Sequence, residues 1–249
     1  MLKKLIRTLS QKILGYDTYL FIFSLVTLKR IQLGLHEKEF QYFLSLIPNR
    51  GAVLDIGANI GIMSVLVAKK SDQLSVFSFE PIPDNLKAMK RLIRVYSLKN
   101  IQVIASAVGE DQGNLTMVVP EIMHAKMHGL ARVISDQPNA IQEMGKPISV
   151  PVLSLDNFEP LRKLDEIVAV KIDVENFEYY VLKGGIQIIE KHRPIILCEL
   201  WDDANRLLCF ALLEKIGYCI RIYQDGNLVA FNGQDRINFF FLPAEMKNS

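Results

Sequence analysis

Cysteine is scarce. Cys198, Cys209 and Cys219 are the only three in 249 residues. They are odd in number, sit in apolar runs and form no CxxC pair. That pattern excludes a disulfide-stapled scaffold and offers a structural zinc site too few ligands at workable spacing. Buried free thiols in a reducing compartment fit, so the expected location is cytoplasmic. An excess of one charge is also missing. Lys+Arg number 29 against 27 Asp+Glu, for a formal net charge of +2. No field of that size draws in a nucleic acid. Long apolar runs are lacking near the N-terminus, where TYLFIFSLV at 18–26 has nine residues against the roughly 20 that span a bilayer. Gly15 and Asp17 break the stretch before it, and no clear small-residue cleavage site follows. The expectation is no transmembrane segment. Peripheral contact through an amphipathic N-terminal stretch is the remaining membrane reading.

What is present is a chain that is half apolar and 22% charged, enough for a sizeable core. Leu2, Leu5, Ile6, Leu9, Ile13 and Leu14 recur at helical spacing, and a second helical stretch over 19–47 ends at Pro48. Residues 1–48 therefore read as an N-terminal helical appendage and 49–249 as the main domain. If the helices expose their apolar faces, a homodimer is expected through them.

From residue 51 the texture alternates. AVLDIG, LSVFSFEP and IQVIASAVG are short apolar runs, separated by the helical stretches NIGIMSVLVAKK and PDNLKAMKRLIRVY. This alternation predicts βαβ units and a mostly parallel sheet covered on both faces. The middle is irregular: NLTMVVP reads as an edge strand, and about 114–150 as an insertion on the ligand side of the sheet. ISVPVLSL and EIVAVKIDV resume the strands. FEYYVLKGGIQIIEKH is a helix interrupted at Gly184-Gly185, PIILCELW a strand, and DDANRLLCFALLEKIG a helix capped by Gly217. YCIRIY and LVAF flank Asp225-Gly226, a hairpin signal, and INFFFLP gives a last strand.

In such a sheet ligands bind beyond the carboxyl ends of the strands. Those ends carry Asp55-Ile-Gly57, Glu80-Pro81, Ser106-Ala107, Asp173-Val-Glu175 and Glu199. LDIGANIG has Gly57 and Gly61 around a strand-to-helix turn, but Asn59 and Ile62 stand where GxGxxG needs glycine, so a dinucleotide cradle is poorly supported. Asp55 suits a cationic or amino-bearing ligand. Glu80, 23 residues after Gly57, can accept from both hydroxyls of a ribose. A glycine turn without the phosphate pattern, followed by a ribose acid, points to a nucleoside without phosphates. S-adenosylmethionine is such a ligand.

VLDIGANIG, FEPIPDNL, SAVGEDQGNL, VPVLSLDNF, VKIDVENFEYYVLKG and RPIILCEL, in that order over residues 51–242, resemble the FkbM-type methyltransferases. The resemblance implies an α/β, Rossmann-like class I methyltransferase sheet of seven strands with a reversed last strand. It implies transfer of a methyl group from S-adenosylmethionine to a hydroxyl of a saccharide or glycosylated small molecule. Asp55, Gly57, Ala58, Asn59 and Gly61 would form the cofactor turn. Glu80 would hold the ribose with Pro81 beside it, Ser106 and Ala107 would border the adenine, and Asp173 would lie near the methionine part with Glu175 next to it. The family pattern Asp-x-Glu-Gly-Phe-Glu has Asn176 in place of glycine here. Asn tolerates positive φ, so the turn is expected to survive.

Methyl transfer to an alcohol profits from alignment and from a base for the released proton. Asp173, Glu175 and His128 are the candidate catalytic residues, with His124 one helical turn before His128. Two histidines without a spaced carboxylate motif do not make a metal site, and none is expected. Glu178 suits the first turn of the following helix. Glu199 is either a solvated strand end or a group that orients a hydroxyl. Trp201, the single tryptophan, packs or stacks on a sugar. Two other readings stay open: a nicotinamide-dependent oxidoreductase on the same sheet, and a non-catalytic protein that binds S-adenosylmethionine.

Overall fold

The computed structural model describes residues 2–119, 121–122, 125–126, 132–133 and 147–248, with side chains described for 8–119 and 147–246. Three helices come first: α1 (Leu2–Leu14), α2 (Tyr16–Gln32) and α3 (Lys38–Leu46). The single helix expected over 19–47 is thus two. Gly34 and Glu37 both take left-handed backbone, at φ 73° and 53°, and a right-handed helix cannot run through either.

Next come β1 (Gly51–Ile56), α4 (Ile62–Lys70), β2 (Leu74–Phe79), α5 (Pro83–Val95) and β3 (Ile101–Ile104). The excursion holds β4 (Ala107–Val108), β5 (Gly113–Val118), β6 (Glu121–Ile122), β7 (Ala125–Lys126), β8 (Arg132–Val133) and β9 (Pro147–Leu153). The chain then returns through α6 (Glu159–Arg162), β10 (Ile167–Ile172), α7 (Glu178–Lys183), α8 (Ile186–His192), β11 (Ile195–Glu199), α9 (Ala204–Lys215), β12 (Tyr218–Gln224), β13 (Asn227–Ala230) and β14 (Asn238–Pro243).

The main sheet runs β3-β2-β1-β10-β11-β14-β12-β13. The five strands from β3 to β11 are parallel, and β14 inserts antiparallel between β11 and β12. This is the expected reversed last strand. An eighth strand, β13, comes from the hairpin at Asp225-Gly226, where both residues have positive φ (50° and 89°), as a type I′ turn requires.

Both faces of the sheet are covered, so its strands are apolar throughout. Consecutive residues of β14 illustrate the alternation. Phe240 faces a core built with Leu28, Phe43, Val65 and Leu92 from α2 to α5. Phe239 and Phe241 face the other, with Val181, Ile188, Phe210 and Leu213 from α7 to α9. All three cysteines are free, and Cys198 and Cys209 are buried.

The edge-strand reading of NLTMVVP gives way to a different arrangement. β5 is an inner strand of a second sheet, β4-β9-β5-β8, paired antiparallel with β9 along its length. Met117 and Val150 bury their side chains against Ile82. That small cluster ties the second sheet to the turn after β2.

Candidate active site

The carboxyl ends of β1, β2, β10 and β11 open onto one cavity of about 370 Å³. Its floor is the turn between β1 and α4. Gly57 has φ 75°, and a Cβ there would stand 1.8 Å from the carbonyl oxygen of Asp173. Only glycine lets β1 turn this close to the end of β10. The amides of Gly57 and Ala58 both donate to the Phe79 carbonyl, which fastens the turn to β2. Asn59 follows in left-handed backbone at φ 52° and donates its amide to Glu80 Oε2 at 2.9 Å.

Glu80 is buried at the end of β2. Its Oε1 accepts from the Ile82 amide at 2.7 Å and from Asn85 Nδ2 at 3.2 Å. Burial pushes this carboxyl up to about 7 against the pull of those hydrogen bonds. Asn59 Oδ1 and Asn85 Oδ1 are buried with no hydrogen-bond partner among the described residues. Both residues line the cavity. These two oxygens lack donors, and Glu80 Oε2 has a lone pair beyond the one the Asn59 amide takes.

The opposite end is acidic. β10 stops at Ile172, and Asp173 and Glu175 both line the cavity. They do not reach it by strand alternation. Glu175 and Asn176 take left-handed backbone at φ 54° and 73°, so a tight turn presents them. Asn176 holds the expected positive φ. Glu178 stabilises this turn: its Oε1 accepts from the Val174 and Asn176 amides, and its Oε2 from Asn205 Nδ2 at 2.6 Å. Burial raises its pKa.

Lys171 lies beneath the acids. Its Nζ is 3.0 Å from Asp173 Oδ2 and 3.9 Å from Asp55 Oδ1. Burial works against its charge, but Asp173 and Asp55 outweigh that and keep it protonated. Asp55 itself is raised by burial, opposed by Lys171 and by the hydroxyl of Ser64, which donates to its Oδ2. Glu199, at the end of β11, is pushed up to about 7 by burial and then by the neighbouring charges of Asp173 and Glu175. Trp201 stands next along the cavity wall with 47% of its surface exposed. Phe177, on the same wall, stacks on Tyr180 at 4.7 Å. The second sheet contributes Met117, Val108 and Ala107. Ser106, also on the wall, is fixed by donating to the Pro151 carbonyl.

Of the residues singled out from sequence, Gly57, Asn59, Glu80, Pro81, Ser106, Ala107, Asp173, Glu175, Glu199 and Trp201 meet in this cavity. Asp55, Ala58 and Gly61 do not line it. Asp55 lies behind the turn, and Gly61 caps α4 at φ 82°, where a Cβ would strike Met89. His124 and His128 fall outside the described residues. Asn85, Lys171 and Phe177 were missed. A lysine in the apolar run EIVAVKIDV was a legible signal, because a buried cation needs partners.

A mostly parallel sheet with the last strand of the chain inserted antiparallel, a glycine turn after its first strand and an acid after its second defines a Rossmann-like class I methyltransferase. The solved methyltransferase FkbM of Methylobacillus flagellatus KT has the same fold. It matches 78% of this chain with a TM-score of 0.52 at 18% sequence identity, and this chain spans 44% of that longer one. Residues 55–216 match the model of the methyltransferase FkbM domain, well over half of the sequence, and the chain belongs to that family. Two curated relatives agree. "Methyltransferase 1" of Beauveria bassiana (strain ARSEF 2860) is 23% identical over 195 residues, 73% of this chain and 77% of the relative. "Methyltransferase sdnD" of Sordaria araneosa is 24% identical over 208 residues, 72% of this chain and 78% of the relative.

Proposed function

We propose that the chain is an S-adenosylmethionine-dependent O-methyltransferase acting on a hydroxyl of a saccharide or a glycosylated small molecule. The observation that carries this reading is the split character of the cavity. At one end, Asn59 Oδ1 and Asn85 Oδ1 lack donors and Glu80 Oε2 has a lone pair beyond the one the Asn59 amide takes, and a ribose diol offers two donors. At the other, Asp173, Glu175 and Glu199 favour positive charge. None of the described lining residues is Lys or Arg, which fits a nucleoside with a cationic tail better than the pyrophosphate of a nicotinamide dinucleotide.

When bound, S-adenosylmethionine supplies an electrophilic methyl group on its sulfonium. The chain does the rest. Ser106 and Ala107 would border the adenine end, and Glu80 would hold the ribose. Asp173 is paired with Lys171, which anchors it as an acceptor for an ammonium group or a sugar hydroxyl. Glu199 is better matched to proton transfer, because its pKa lies near neutrality. It would take the hydroxyl proton on a carboxylate oxygen as the methyl carbon bonds to the hydroxyl oxygen and its bond to sulfur breaks, the pair of electrons staying on sulfur as a neutral thioether. Trp201 and Phe177 give the acceptor ring faces to stack on.

The test is calorimetric titration with S-adenosylmethionine and, separately, NAD, repeated with Glu80→Gln. S-adenosylmethionine alone should bind, about tenfold more weakly in the variant. Absence of binding, or preferential binding of NAD, would overturn the cofactor assignment. Binding without methyl transfer to any member of a broad sugar panel would favour the non-catalytic reading.

A further inference from the structure

Half of the large apolar side chains that the described residues leave exposed sit in the first 35 positions, among them Leu9 and Ile13 of α1, Ile22 and Val26 of α2, and Leu33 and Leu35 just beyond it. α2 is apolar on two sides. Leu20, Ser24, Leu28 and Ile31 are buried against the body of the protein. Ile22, Val26 and Leu33, at intervals of one and two turns, lie on a different, exposed face. A helix apolar all round is ordinarily covered all round. Charge says what covers it. Positions 1–35 carry Lys3, Lys4, Arg7, Lys12, Lys29 and Arg30 against the single acid Asp17, while the rest of the chain is net acidic, since the total is only +2. Asp17 is itself engaged by Lys87 at 3.7 Å.

We propose that the outer face of α1 and α2 docks on an anionic lipid bilayer, with Ile22, Val26 and their neighbours sunk into the headgroup boundary and Lys12, Lys29 and Arg30 reaching acidic headgroups. A second copy fits less well, because a two-fold contact would press one cationic surface against another. Among the described residues no helix is long and apolar enough to cross a membrane, so these helices would lie in the interface. The surface is fixed to the site: Tyr19 and Leu20 of α2 pack on Ile60 of the turn between β1 and α4. The docked face therefore holds the cavity floor in a set relation to the bilayer. This inference stands independently of the cofactor and acceptor proposed above.

The experiment is co-sedimentation of the full chain with vesicles of phosphatidylcholine alone and of phosphatidylcholine mixed with phosphatidylglycerol. The comparison adds Ile22→Ser/Val26→Ser and Lys29→Glu/Arg30→Glu, both at exposed positions, with thermal melts to verify folding. The chain should sediment with the anionic vesicles only. Affinity should fall by about fivefold for each cation removed, and salt should weaken it. Failure to sediment with anionic vesicles, or equal binding to both vesicles whatever stands at 29 and 30, would overturn the proposal. So would a soluble dimer that Ile22→Ser/Val26→Ser dissociates, since that result gives the face to a second copy.

Discussion

Lys171 is the residue on which the acidic end of the cavity depends. It is nearly buried in β10, within 4 Å of both Asp55 and Asp173. One cation there compensates two carboxylates that would otherwise repel each other across the floor of the site. Removing it while keeping both acids leaves uncompensated charge in a poorly solvated place. Lys171→Met should therefore cost about 3 kcal/mol of unfolding free energy, and the Lys171→Met/Asp55→Asn double variant should recover part of the loss. Urea denaturation of the wild type, both single variants and the double variant gives the coupling directly. A Lys171→Met cost below about 0.5 kcal/mol, as for an exposed pair, would mean that water screens the cluster.

At the scale of elements, the turn from β10 into α7 carries Asn176 where the pattern that the sequence resembles has glycine. Asn176 sits at φ 73° and donates its amide to Glu178 Oε1 at 3.1 Å. The backbone, not the side chain, makes this link, which is why Asn serves where glycine is usual. Asn176→Gly should change stability by less than about 1 kcal/mol, whereas Asn176→Val should cost about 1–2 kcal/mol. Chemical denaturation of the two variants checks this, and equal behaviour would contradict the strain argument. The sequence was readable wherever local chemistry decided the outcome. Short apolar runs between turns marked β1, β2, β10 and β11, Asp225-Gly226 marked the hairpin, and the acids at the ends of β2, β10 and β11 marked the cavity. It was opaque where distant segments decided. β5 finds its place through β9, some thirty-five residues later, and nothing local in NLTMVVP announces that pairing. Asn85 could not be chosen without knowing that Glu80 turns back onto α5. In the break between α2 and α3, Gly34 at φ 73° was a readable helix stop, whereas Glu37 in left-handed backbone is a conformation that glutamate does not signal.

Over the whole molecule, the buried carboxylates of the site set a pH dependence. Glu80 and Glu199 are both raised from 4.5 to about 7, chiefly by burial, and Asp55 and Glu178 are raised by the same cause. Each binds its proton more tightly in the folded chain than in the unfolded one. For Glu80 and Glu199 the contribution to stability is therefore fully present below about 4.5 and is lost as the pH rises through about 7, and Asp55 and Glu178 act in the same sense. Glu245 acts in the opposite sense, because Arg193 draws it down to about 2, but its effect falls at more acid pH than this window. The ligand-free protein should accordingly melt at lower temperature above about pH 7 than within the window, and Glu199→Gln should flatten that slope. A cationic ligand reverses the balance. It stabilises the ionised carboxylates, so the rise in melting temperature on adding S-adenosylmethionine should grow as the pH increases through about 7. Thermal melts across this range, with and without ligand, measure both effects. A ligand-induced shift independent of pH in the wild type would mean that Glu80 and Glu199 do not change protonation when the site fills. The role of Glu199 as proton acceptor would then lose its physical basis.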